Sequence, residues 1–96
     1  MISTVKYIGD LRTEGIHISS SKKLITDAPL DNQGKGEAFS PTDTVATGLA
    51  SCILTILGIK ARSFKINLNE TFAEVKKIMG TKPRRIIEIK VDIYFQ

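Results

Sequence analysis

Cys52 is the only cysteine in this 96-residue chain and its one obvious candidate for nucleophilic or redox chemistry. The thiolate is the reactive form, and a thiol becomes one readily beside a cation, a metal or a helix N-terminus. Cys52 sits within the uncharged run Thr44 to Ile59, beyond the first turn of a helix that starts at Ser40 and Pro41, and the helix field fades within that turn. By residue type alone it reads as a small buried hydrophobe, and its activation calls for a cation from elsewhere in the fold. His17, the only histidine, could carry a proton, although its place between Ile16 and Ile18 points it to the polar side of a strand.

The elements that must position Cys52 are legible around it. Ser40-Pro41-Thr42-Asp43 is a helix start, with Ser as N-cap, Pro at the first helical position and an acid at the third that can close a capping box. Val45, Leu49, Cys52, Ile53, Ile56, Leu57 and Ile59 then surround the helix axis, while Ala46, Gly48, Ala50, Ser51 and Gly58 allow close approach, so the helix is expected to be buried and central. Before it, Thr4 to Ile8, Arg12 to Ser19 and Lys23 to Thr26 read as antiparallel strands, with Ser19 to Lys22 as a turn. Asp27 to Ala38 reads as a surface loop. Its Gly34-Lys35-Gly36 lacks the spacing and the Lys-Ser/Thr ending of a phosphate loop.

After the helix, Ile66 and Leu68 are expected to open a strand. Thr71 to Met79 fits both helical and alternating spacing and is read as a strand. Gly80 to Pro83 is a turn, and Ile87, Ile89, Val91, Ile93 and Phe95 alternate cleanly with polar residues. The expected class is α+β, with no internal repeat.

Composition narrows the function. A single domain of this size buries only about 60–65% of the surface of its unfolded chain, so its core is thin and a partner subunit would help. The N-terminus has no basic region followed by an apolar stretch. A lone cysteine forms no internal disulfide and suits a reducing compartment, which leaves Asn69-Glu70-Thr71 without meaning as a glycosylation site. The run Thr44 to Ile59 is shorter than the roughly 20 residues of a bilayer span. The net charge of +4 comes largely from Lys76-Lys77 and Lys82-Pro83-Arg84-Arg85, which read as solvated strand ends and a turn. No aromatic interleaving accompanies them, and nucleic acid is not an expected partner.

The segment Phe39-Ser-Pro-Thr-Asp-Thr-Val-Ala-Thr-Gly-Leu-Ala-Ser-Cys52, preceded by Gly34-Lys-Gly-Glu37, resembles the signature of the OsmC/Ohr family. Tyr7 to Glu14, Thr26-Asp-Ala-Pro29 and Pro83-Arg-Arg-Ile-Ile-Glu-Ile suit the same family, so the resemblance spans essentially residues 1–96 as one domain. It implies an intertwined homodimer in the cytoplasm with antiparallel strands wrapped around central helices, and many members reduce organic hydroperoxides with two cysteines and a thiol reductant, without cofactor or metal. By position, Cys52 matches the peroxidatic cysteine, Arg12 the arginine that poises it, and Asp43 the acid near the helix start, one place later than in many peroxidases, where this chain has Thr42. For Arg12 and Asp43 an exposed strand charge and a helix cap are the competing readings. The family continues beyond the point where this chain stops, with a segment carrying the second, resolving cysteine. Two functions follow as expectations: a peroxidase whose thiol is resolved by an external thiol, or a shortened, non-catalytic binding or structural module.

Overall fold

The computed structural model describes residues 1–95, and its contacts divide into two units, Met1–Thr44 and Val45 onward.

The first unit holds a three-stranded antiparallel sheet in the order β1 (Ser3–Gly9), β2 (Arg12–His17) and β3 (Lys23–Asp27). A two-residue turn, Asp10-Leu11, joins β1 to β2 with φ of 54° and 62°. Positive φ at both central residues is the hairpin geometry whose twist matches that of the strands. It is strained for a leucine. Two bonds hold it: the Leu11 N–H donates to Tyr7 Oη at 3.2 Å, and the Leu11 carbonyl accepts from Ala28 N–H at 3.1 Å. The segment after β3 contains a short 3-10 turn, Leu30–Asn32. It folds back on itself, with Gly34 N–H donating to Pro29 O at 2.9 Å and Gly36 N–H to Ala28 O at 3.1 Å. Gly34 is required there, since a Cβ would lie 1.8 Å from the Ala28 carbonyl oxygen.

Helix α1 (Pro41–Ser63) starts where the sequence predicts. Its end corrects one expectation. Lys65 takes φ 57°, Ile66 N–H reaches back to Ala61 O at 2.8 Å and Lys65 N–H to Arg62 O at 3.2 Å. This is the paired bonding that satisfies the last carbonyls of a helix. Ile66 is consumed by the helix end, and Asn67 Oδ1 then accepts the Asn69 N–H at 2.7 Å to form a turn. Ile66 and Leu68 therefore open no strand.

The second unit contains most of α1 and the antiparallel pair β4 (Phe72–Gly80) and β5 (Arg85–Tyr94). Alternation wins over helical spacing in β4, as expected. The Phe72 and Tyr94 rings stack 5.1 Å apart at the open end of the pair. Arg85 Nη1 donates to Thr81 O at 2.8 Å and Pro83 O at 3.0 Å, so this basic residue clamps the turn.

The expectation of a buried helix is not met within one chain. Only Ala46, Ala50 and Ala61 of α1 are buried, whereas Val45, Leu49, Ile56 and Ile59 are exposed, and so is Cys52. The physical reason is coverage: apolar residues encircle the axis, and a two-stranded pair can cover only one face of a helix. Counted along the helix and not along the uncharged run, α1 has 23 residues and is long and apolar enough to cross a membrane by length and composition alone, a test that a core helix also passes.

Candidate functional site

Arg12 opens β2 and Asp27 closes β3, and the antiparallel register pairs them on the last rung of the ladder. That register brings Arg12 Nη2 to 3.4 Å from Asp27 Oδ2. The same nitrogen also bonds Glu37 Oε1, carried by the folded-back segment. Asp27 Oδ2 accepts a second hydrogen bond, from the Glu37 main-chain N–H at 2.9 Å, and Asp27 N–H donates to Phe39 O at 3.0 Å. One carboxylate thus ties together the start of β2, the end of β3 and the strap that leads to α1.

The Asp27 side chain is 0% exposed, against 31% for Arg12 and 62% for Glu37. The hydrogen bond from the Glu37 amide is the main cause that holds the Asp27 carboxyl below its ordinary value. Burial opposes it, and Arg12, with a smaller contribution from Lys35, reinforces it. Asp27 correspondingly holds the Arg12 guanidinium above its ordinary value, with Glu37 helping.

Asp43 caps α1. Its Oδ2 accepts the Ser40 N–H at 3.0 Å while Ser40 Oγ accepts the Asp43 N–H at 3.0 Å, a reciprocal capping box at a Ser40 that is 1% exposed. Thr44 Oγ1 adds a bond to the Ser40 carbonyl at 3.0 Å. The acid from the sequence analysis therefore secures the helix that carries Cys52.

Cys52 lies nine residues beyond Asp43 in the sequence, on α1, as a free thiol. It shares its helix face with Val45, Leu49, Ile56 and Ile59, spaced alternately by four and three residues. That spacing makes a continuous apolar seam. Another face of α1 borders a shallow groove of about 420 Å³ whose lining includes Thr47, Ser51, Leu54, Thr55, Ala73 and Val75. His17 is exposed and its Nδ1 lies 2.6 Å from Ser20 Oγ, at the β2–β3 turn. No group of three or more His, Cys, Asp or Glu suited to a metal occurs among the described residues.

Asp27 and Glu37 carry no role that residue type or motif assigns in the sequence. A signal for Asp27 existed: with Ser19 to Lys22 as the turn between two antiparallel strands, an acid at the end of one and an arginine at the start of the other fall opposite each other.

No protein-family model and no curated protein matches the chain. Among solved structures, a Psychrobacter arcticus 273-4 protein provisionally named an osmotic stress induced and detoxification response protein is 59% identical in sequence. The alignment covers 99% of this chain and 69% of that one, with a TM-score of 0.96.

Proposed function

The chain belongs to the OsmC-like family of stress-response proteins, and from that premise we propose that it is a thiol-dependent peroxidase, acting on organic hydroperoxides in the cytoplasm with an external resolving thiol. The observation that carries this reading is the free Cys52 thiol on an apolar helix face. A hydrophobic hydroperoxide can be bound beside such a thiol.

In the proposed reaction the Cys52 thiolate attacks the outer oxygen of the O–O bond. An S–O bond forms, the O–O bond breaks, and the alkoxide leaves and takes a proton to become an alcohol. Cys52 is oxidised to a sulfenic acid and the peroxide is reduced. An external thiol then condenses with the sulfenic acid, releasing water and leaving a mixed disulfide. A second thiol restores Cys52 and carries the disulfide away. Arg12 is the proposed cation that favours the thiolate, and Asp43 serves by fixing the start of the helix.

The proposed assembly is a homodimer. Positions 45, 49, 52, 56 and 59 are nearly symmetric about Cys52, so a second copy running antiparallel would match Val45 with Ile59 and Leu49 with Ile56. Such self-complementarity is what a two-fold interface requires, and it would cover residues that one chain leaves exposed.

The test is turnover of tert-butyl hydroperoxide with a dithiol reductant. Wild type is expected to consume peroxide and Cys52→Ser to stay at the uncatalysed rate. Equal rates for the two would reject the peroxidase and favour a non-catalytic binding module.

A further inference from the structure

A cation that poises a thiolate must have charge to offer, yet Arg12 is engaged by two carboxylates, Asp27 and Glu37. With one positive charge against two negative ones, little is left for a third anion. One partner has to let go, and burial decides which. The Asp27 side chain is fully buried and that of Glu37 is 62% exposed. An exposed pair separates at little cost, while a buried carboxylate stripped of its cation is left with an uncompensated charge.

Asp27 is also the better anchored. Its main-chain N–H and its Oδ2 are fixed to Phe39 O and to the Glu37 N–H, and the strand ladder places it directly across from Arg12. Two further atoms belong to the same ion pair: among the described residues, Arg12 Nε and Asp27 Oδ1 are buried without a hydrogen-bond partner. A donor and an acceptor are thus held in reserve for the two-pronged arginine–carboxylate bond that would become available once Glu37 departs.

We infer that Asp27 is the positioning residue of Arg12, holding the guanidinium at the start of β2, while Glu37 is its releasable partner, whose departure removes the net negative charge that would repel an incoming anion. The statement that this anion is the Cys52 thiolate rests on the function proposed above. The statement that Asp27 and not Glu37 holds Arg12 does not.

Two measurements on wild type, Glu37→Gln and Asp27→Asn separate these statements. The first is nitrogen-15 NMR of the Arg12 side chain, which reads how freely the guanidinium rotates and exchanges. Rotation is expected to be hindered in wild type and in Glu37→Gln and released in Asp27→Asn. The second is the pH profile of Cys52 alkylation by iodoacetamide. Its midpoint is expected to fall in Glu37→Gln and rise in Asp27→Asn, each giving a several-fold change in rate at neutral pH. Opposite signs are a readout that a merely structural role would not produce.

An Arg12 set free by Glu37→Gln would overturn the inference by itself. Glu37 is exposed, so this arm does not depend on whether Asp27→Asn folds. An Arg12 still hindered in Asp27→Asn would overturn it as well. NMR behaviour as stated, with the same alkylation midpoint in all three proteins, would uphold Asp27 as the residue that positions Arg12 and reject Arg12 as the cation serving Cys52.

Discussion

Removing the Ser40 hydroxyl tests the claim that the residues before Cys52 act by fixing its helix. In Ser40→Ala the Asp43 N–H loses its acceptor at 3.0 Å, at a position where Ser40 is 1% exposed and water has little access. Loss of an N-cap acceptor costs about 0.5–2 kcal/mol. Asp43→Ala removes the reciprocal bond to Ser40 N–H at 3.0 Å, together with a favourable charge at the helix N-terminus worth about 0.3–1 kcal/mol. Because the two bonds close one ring, the double variant should lose less than the sum of the single losses, by about 0.5 kcal/mol or more. Each kcal/mol corresponds to about 4–8 °C in Tm for a domain of this size. The assay is thermal unfolding followed by circular dichroism at one fixed protein concentration, since association would raise Tm. Ser40→Gly is the control and should cost only a few tenths of a kcal/mol relative to wild type. Unfolding of Ser40→Ala together with wild type, or single losses that simply add, would refute the reciprocal capping of α1.

Gly34→Ala should destabilise the segment that carries Glu37, because the new methyl would meet the Ala28 backbone at 1.8 Å; Gly58→Ala, with open space around it, should instead raise stability by roughly 1 kcal/mol. Urea unfolding of both variants checks the contrast, and equal effects would contradict it. Leu49→Lys should halve the mass measured by light scattering, since it places a charge in the apolar seam of α1; a mass unchanged from wild type would remove the seam as the interface. Asp27 contributes stability above the ordinary carboxyl value of 3.8, because its folded value lies lower, and loses that contribution as pH falls through the folded value. The stability difference between wild type and Asp27→Asn should therefore be constant at neutral pH and shrink below pH 3.8; a difference independent of pH down to full acid unfolding would show that the Asp27 charge is not involved.

The sequence announced local features and concealed those that depend on register or on neighbours. The start of α1 was legible because Ser40, Pro41 and Asp43 encode it within four residues, and β5 was legible from Glu88 onward, where its alternation holds; a register shift before that point leaves Ile87 exposed. Ile66 and Leu68 misled because their alternation is the same whether Ile66 begins a strand or closes a helix, and the closing bonds run back to Ala61 and Arg62. Asp27 looks like the beginning of a loop in the sequence because its role comes from lying across the ladder from Arg12. The apolar residues of α1 predict a buried helix, and within one chain they remain on the surface. Cys52 stood out by residue type and by its motif, and neither could say that its thiol would be exposed.

The most direct test of the central claim is the mass of the intact protein after one equivalent of cumene hydroperoxide, with no reductant, in the presence and absence of dimedone. The account predicts addition of one oxygen at Cys52 in the absence of dimedone, conversion of that species to a dimedone adduct at the same residue, and no change in Cys52→Ser. An unmodified Cys52, or oxidation confined to the methionines, would contradict it.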